Sequence, residues 1–132
     1  MQKCNGEGYY DPTAYEAVIN VAREEKYRPI IYVCSPFRGD EERNAAKARE
    51  YCRYAISRRC IPFAPHLLFP QFMNEESDRE LAMSFNKIFL GKCDEIWVFG
   101  EKITDGMAFE IKTAKRKNIK VRYFLEDIKE VK

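Results

Sequence analysis

The chain has 132 residues, 45% hydrophobic and 14% aromatic, which suffices for one domain with a buried core and is short for two. Its 23 Lys and Arg nearly balance 21 Asp and Glu, without the basic, aromatic-rich groove typical of nucleic-acid-binding proteins. Apolar runs of about five to seven residues are too short to span a bilayer, and the N-terminus lacks an apolar signal core. We therefore predict a single cytoplasmic domain over residues 1–132 that binds neither a nucleic acid polymer nor a membrane.

The cysteines indicate neither disulfides nor a metal site. Five cysteines form an odd set with no CxxC pair, and His66 is the only histidine. A zinc site needs more ligands at regular spacing, so we expect no metal and no cofactor. Cys34, at the end of a predicted strand, is either a reactive thiol or, more simply, a small core residue. Reduced and mostly buried thiols are expected for Cys4, Cys34, Cys52, Cys60 and Cys93.

The first predicted elements are a helix and a buried strand. Asp11 can cap a helix over residues 12–26, and Pro12 suits its first position. An apolar stripe follows at helical spacing: Ala14, Val18, Val21 and Ala22. Residues 29–34 (PIIYVC) are a continuous β-branched and aromatic run, which predicts a strand buried on both faces of a parallel sheet. A loop over residues 35–40 (SPFRGD) comes next.

The middle of the chain predicts two helices around a short strand. Apolar residues recur at helical spacing over residues 42–58, and residues 61–64, bounded by prolines, predict a second strand. Residues 65–77 (PHLLFPQFMNEES) predict an irregular and unusually apolar connection. Asp78 is expected to cap the next helix, which ends near Gly91. Its expected core stripe consists of Leu81, Phe85, Ile88 and Phe89.

The last third predicts a strand over residues 95–99, a loop over 100–106, a helix that begins near Asp105 and a strand over 120–125 with a charged tail. Strands that alternate with helices predict an α/β fold of the flavodoxin or Rossmann-like kind, a parallel sheet with helices on both faces. Ligands of such sheets bind beyond the carboxyl ends of the strands, in the connecting loops.

The loop over residues 35–40 contains an anion-binding pattern. It combines the turn-forming Pro36 with Arg38 and Gly39 ahead of a helix, which suits a phosphate group. Its spacing matches neither GxGxxG nor GxxxxGK[ST], so neither a dinucleotide site nor a P-loop is predicted. Taken alone, the pattern is equally compatible with a solvated Arg38.

Glu110 is the most informative carboxylate. On a helix that begins near Asp105, it lies about 60° from the centre of the apolar stripe that includes Met107, at the margin of the core. It can therefore face a ligand pocket near the strand ends, although an ion pair with Lys117 or Lys87 would also explain it.

Three segments together resemble the nucleoside 2-deoxyribosyltransferase-like superfamily. They are YVCSPFRGD at 32–40, IPFAPHLLFPQF at 61–72 and CDEIWVFGEKITDGMAFEI at 93–111. The resemblance covers about residues 29–125 and is greatest to a small branch described only as a domain of unknown function. These motifs are fairly specific for the superfamily and much less so for one activity.

The resemblance implies roles for three residues. In that superfamily, the glutamate that Glu110 resembles attacks the anomeric carbon of the sugar. Asp94 resembles an aspartate near the sugar or base, and Tyr32 a tyrosine that orients the nucleophile. Without the resemblance, Asp94 would be a turn or capping residue and Tyr32 a core aromatic. One carboxylate that traps an oxocarbenium-like sugar, with a group that protonates the departing base, needs no metal.

Departures from the superfamily pattern point to a phosphorylated substrate. Many deoxyribosyltransferases have an aspartate six residues before the nucleophile, where this chain has Thr104 and places Asp105 one position later. The hydroxyl resembles 2'-deoxynucleoside 5'-phosphate N-hydrolases, whose site uses a serine for the phosphate, and Arg38 with Gly39 resembles their phosphate loop. The resemblance implies substrate or phosphate contacts by Ser35, Pro36, Phe37, Arg38, Gly39, Thr104, Asp105, Gly106 and Met107.

Three functions follow as hypotheses. The first is cleavage or transfer at the N-glycosidic bond of a (deoxy)nucleoside or its 5'-monophosphate through Glu110. The second is a module that binds a nucleotide without turnover, and the third is a structural oligomer with a decayed site. Phe109, which points away from the core stripe, and the apolar residues 67–72 predict contacts between subunits of a homo-oligomer under all three.

Overall fold

A computed structural model describes residues 28–131. The helix predicted over residues 12–26 and the Cys4 thiol lie outside these residues. One sheet has the strand order β2-β1-β3-β4-β5, in which the first four strands are parallel and β5 is antiparallel to β4. The strands are β1 (Ile30–Cys34), β2 (Ile61–Phe63), β3 (Glu95–Phe99), β4 (Lys120–Phe124) and β5 (Glu130–Val131).

Helices cover both faces of the sheet. They are α1 (Glu41–Ser57), α2 (Pro65–Leu68), α3 (Arg79–Leu90) and α4 (Asp105–Arg116), with a 3-10 turn at Phe69–Gln71. Alternate residues of β1 enter different cores, as strand geometry requires. Ile31 and Val33 pack with Tyr51 of α1, whereas Tyr32 packs with Ile111 of α4. The α/β fold expected from the sequence, a largely parallel sheet with helices on both faces, is confirmed.

The strand register places the connecting loops side by side. β1 pairs with β3 so that Cys34 lies opposite Val98, and the loops that follow these strands begin at the same edge of the sheet. Gly39 (φ 102°) and Gly100 (φ 98°) adopt backbone conformations that other residues rarely adopt. The two glycines thus allow the sharp turns at this edge.

Three details differ from the sequence prediction. The connection over residues 65–77 is partly helical, since Pro65 begins α2 and the 3-10 turn follows. The charged tail contains β5, where Glu130 accepts two hydrogen bonds from Arg122 of β4, at 2.6 and 2.7 Å. The stripe predicted as the core of α3 is largely exposed, with Leu81 at 50% and Ile88 at 55%, because apolar periodicity does not distinguish core from outer surface.

Within residues 28–131, no helix is long and apolar enough to cross a membrane.

Candidate active site

A cavity of about 530 Å³ lies beyond the carboxyl end of β1. Four parts of the chain line it: the loop after β1, residues 65–75, α3 and the beginning of α4. Its volume is in the range of small-molecule sites, and its position is the one at which α/β sheets bind ligands. Its apolar wall includes Phe37, Phe69, Met73, Met83 and Phe109.

Glu110 lies partly buried at the wall of this cavity. The helix that carries it, α4, begins after Thr104, whose Oγ1 accepts a hydrogen bond from the Met107 N–H at 3.2 Å. Met107 and Ile111 are buried on the core side of α4. Burial raises the pKa of Glu110 to about 7, against a smaller lowering by the hydroxyl of Tyr32.

Tyr32 lies behind Glu110. Its side chain is wholly inaccessible to solvent, and burial followed by the charge of Glu110 raises its pKa well above the ordinary value. Its hydroxyl makes no strong hydrogen bond in the described part of the chain, although it is close enough to Glu110 to lower the pKa of that carboxyl group.

Three residues that could donate hydrogen bonds to an anion lie between this cavity and a second cavity of about 400 Å³. Ser35, Arg38 and Thr104 line both cavities. The Oγ1 of Thr104 accepts the capping bond, which leaves its O–H free to donate to a ligand. The Nε of Arg38 donates to Glu75 at 3.3 Å in an exposed ion pair, and the four remaining guanidinium N–H groups can donate to an anion.

The other predicted contact residues divide between the two cavities. The larger cavity contains Phe37, Asp105, Gly106 and Met107. The smaller contains Pro36 and Gly39. The structure thus brings every residue predicted to contact substrate or phosphate to this edge of the sheet.

Asp94 is at the wrong end of the sheet for the role that the resemblance implied. Its Oδ2 accepts a hydrogen bond from the Ile30 N–H at 2.7 Å, so it joins the beginnings of β1 and β3. The side chain is exposed, and it precedes β3 (Glu95–Phe99) at the amino edge, whereas the cavity lies at the carboxyl edge. An aspartate immediately before a parallel strand cannot reach the edge where ligands bind. The expectation of Asp94 near the sugar or base is therefore wrong.

Asn86 and His66 are among the polar residues of the cavity that the sequence did not identify as site residues. Asn86 of α3 lines it, and its Oδ1 is buried without a hydrogen-bond partner within the described residues. His66 of α2 also lines it, and its Nε2 lies 2.9 Å from the Oγ of Ser35. For Asn86, the only signal in the sequence was an amide within the apolar pattern of α3. For His66, it was that the chain has a single histidine.

The described cysteines are free thiols: Cys34, Cys52, Cys60 and Cys93. Cys34 is buried, and burial followed by the charge of Glu110 raises its pKa well above the ordinary value. A thiol in this state is a poor nucleophile, so the simpler interpretation of Cys34 as a core residue holds.

Comparisons with known proteins agree with this fold. The model of a family described as a domain of unknown function (DUF7768) matches residues 29–124. A solved structure of a 2-deoxyribosyltransferase from the psychrotolerant bacterium Bacillus psychrosaccharolyticus is similar, with a TM-score of 0.57 and 20% identity. The match covers 73% of this chain and 72% of that chain. A search of curated proteins found no match.

Proposed function

The chain belongs to the domain-of-unknown-function family DUF7768, and we propose that it acts on the N-glycosidic bond of a (deoxy)nucleoside or its 5'-monophosphate, with Glu110 as the nucleophile. One observation carries this proposal: a single cavity contains a partly buried carboxylate and a separate set of anion donors. Thr104 and Glu110 are about 9 Å apart along the helix axis, a distance that a pentose with a 5'-phosphate can span. The similarity of fold to a 2-deoxyribosyltransferase supports the same class of substrate.

The reaction needs one carboxylate and two displacements. A carboxylate oxygen of Glu110 attacks C1' of the sugar, the C1'–N bond breaks, and its electron pair leaves with the base, which takes up a proton from solvent. A water molecule or a second base then attacks C1' of the glycosyl ester and restores the carboxylate. Tyr32 is a positioning residue, since its hydroxyl favours the ionised form of Glu110.

Cavity shape and polarity suggest how substrate would lie. The apolar wall formed by Phe37, Phe69 and Phe109 suits a flat base, and the unpartnered Oδ1 of Asn86 can accept a hydrogen bond from a ring or exocyclic N–H. Ser35, Arg38 and Thr104 would then face the 5' end of the sugar. No step requires a metal.

One observation favours the alternative, a module that binds a nucleotide without turnover. Because Asp94 is at the other edge of the sheet, the carboxylates that accompany Glu110 in the cavity are Glu75 and Asp105. Both are exposed. A buried acid that could protonate the leaving base is thus absent from the described lining of the cavity.

Base release distinguishes the two functions. The protein is incubated with a panel of deoxynucleoside monophosphates and deoxynucleosides, alone and with a second free base, and products are separated by chromatography. Release of free base indicates hydrolysis, and a new nucleoside indicates transfer. We expect Glu110→Gln to reduce the rate on the order of 10³-fold or more, as for other covalent nucleophiles. Glu76→Gln, an exposed carboxylate outside the cavity lining, is the matched control.

A second readout identifies the nucleophile directly. Mass spectrometry of protein denatured during turnover should show a glycosyl adduct on the peptide that contains Glu110. If wild-type protein releases no base from any substrate, catalysis through Glu110 is refuted. Intact nucleotides that raise the melting temperature would then identify the protein as a binding module.

A further inference from the structure

The pair of Ser35 and His66 joins two loops at the edge of the cavity. Ser35 directly follows β1, and His66 lies in α2 shortly after β2. Because β1 and β2 are parallel neighbours, these segments emerge side by side. The Oγ of Ser35 and the Nε2 of His66 are 2.9 Å apart, and both residues line the cavity that contains Glu110.

The imidazole of His66 is held in a fixed environment. Its ring packs edge-on against Phe37, with centroids 6.2 Å apart, and the buried Pro65 precedes it. Burial lowers the pKa of His66 to about 4, so the ring is neutral at physiological pH and carries one N–H. It can therefore act as a neutral donor or acceptor, and its low basicity makes it a weak general base.

The direction of this hydrogen bond decides what Ser35 offers to a ligand. A hydroxyl has one proton and two lone pairs. If Ser35 donates to Nε2, it presents only lone pairs, which repel an anion. If Nε2–H donates to Ser35, the hydroxyl proton is free, and an accepting bond at the oxygen makes it a stronger donor. An anionic ligand stabilises the second arrangement.

We propose that His66 donates its Nε2–H to Ser35 and so makes the Ser35 hydroxyl a donor to the 5'-phosphate, which selects phosphorylated over unphosphorylated substrates. The inference rests on the proposed function and adds a specificity-determining residue to it. Arg38 and Thr104 line the same boundary between the two cavities, so the Ser35 proton joins a guanidinium and a second hydroxyl there. His66 acts through Ser35 and is a positioning residue.

The test compares kcat/KM for a phosphorylated substrate with kcat/KM for its unphosphorylated counterpart. The value of kcat/KM is measured for a deoxynucleoside monophosphate and for the same deoxynucleoside, with wild type, Ser35→Ala, His66→Phe, His66→Gln and the double variant Ser35→Ala/His66→Phe. Wild type should prefer the monophosphate. Loss of one hydrogen bond to a charged group should reduce the preference roughly 10- to 100-fold in Ser35→Ala and His66→Phe. The double variant should lose no more than the single ones, because both changes remove the same donor.

His66→Gln separates this role from simple packing. Its amide N–H₂ can replace the Nε2–H, so it should recover most of the preference, whereas Phe retains only the ring. The proposal would be overturned if His66→Phe reduced kcat/KM equally for both substrates. It would also be overturned if His66→Gln, shown to be folded by circular dichroism, did not recover the preference. Neither result would contradict the proposed glycosidase activity.

Binding of inorganic phosphate tests the pair if the protein has no glycosidase activity. Isothermal titration should then show binding to wild type and His66→Gln, and weaker binding to Ser35→Ala and His66→Phe. Equal affinities in all four proteins, or no binding to wild type, would refute the assigned role of the pair.

Discussion

At neutral pH, the ionised Glu110 costs the folded protein free energy. Its pKa is about 7 in the folded state, against 4.5 for an ordinary glutamate. The folded state therefore binds the proton more tightly than the unfolded state, and stability falls as pH rises from 4.5 to 7. A surface glutamate in an ion pair would have the opposite effect. Retaining a destabilising carboxylate at the wall of a cavity is typical of functional sites.

Glu110→Gln should therefore stabilise the protein more at pH 8 than at pH 5. The difference between the two pH values should be about 2.5 kcal/mol in the free energy of unfolding relative to wild type, the amount that the two pKa values give between pH 5 and pH 8. Urea denaturation of both proteins at both pH values measures it. Effects of the amide on packing cancel in this comparison. A difference within 0.5 kcal/mol of zero, roughly the experimental error, would show that the pKa of Glu110 is not raised.

Tyr32→Phe tests the contact between the hydroxyl and the carboxylate. The hydroxyl lowers the pKa of Glu110, so its removal raises that pKa. Because the ionised form is the nucleophile, the rising limb of kcat/KM should move to higher pH, with more activity lost at pH 6 than at pH 9. Stability should change by less than about 1 kcal/mol, since no strong hydrogen bond is lost. Tyr51→Phe, on the other face of the sheet, should leave the limb in place. An unchanged limb in Tyr32→Phe would contradict the assignment.

At the scale of secondary-structure elements, the sequence predicted the helices and strands whose positions depend on apolar periodicity and on turn residues. The bounds of β3 (Glu95–Phe99) are as predicted, α1 agrees within one residue at each end, and α4 begins at Asp105 as expected. The predicted strand 95–99 already placed Asp94 at the amino end of β3, and only the resemblance assigned it to the substrate. The sequence could not identify Asn86, which in a helical pattern resembles any solvated amide. The Ser35 and His66 contact joins residues 31 apart and arises only from the pairing of β1 with β2.

The loop after β1 is held by α1. The side-chain amide of Asn44 donates to the carbonyl oxygens of Phe37, at 2.9 Å, and Arg38, at 3.3 Å. These two hydrogen bonds from the Asn44 side chain hold the backbone of the loop, which places Arg38 at both cavities. This role could not be recognised from the sequence, since Asn44 lies in the first turn of a helix with many polar residues.

Asn44→Ala should weaken binding of phosphate or nucleotide several-fold without unfolding the protein. Each lost hydrogen bond is worth about 0.5–1.5 kcal/mol, and the freed loop must be ordered again on binding. Isothermal titration with a deoxynucleoside monophosphate measures the affinity, and Arg49→Ala on the exposed side of α1 is the control. If Asn44→Ala binds as tightly as the control, the loop does not depend on this support.

Considered as a whole, the described molecule exposes several large apolar side chains on the side formed by α3 and the segment before it, besides others elsewhere on its surface. α3 exposes Leu81, Ile88 and Phe89, and the adjoining segment exposes Phe72 at 66%. Phe109, also partly exposed, belongs both to this side and to the cavity wall. Monomers rarely leave such a surface uncovered. Since it continues to the rim of the cavity, a second copy of the chain that covers it would also narrow the entrance.

We therefore expect the protein to form a homo-oligomer through α3. Sedimentation velocity of wild type should give a species larger than a monomer, and Leu81→Lys/Ile88→Lys should dissociate it, because two buried lysines without partners are strongly unfavourable in an interface. Ile56→Lys, at an exposed apolar position on α1, should leave the assembly intact. A wild-type monomer at all concentrations would contradict this expectation.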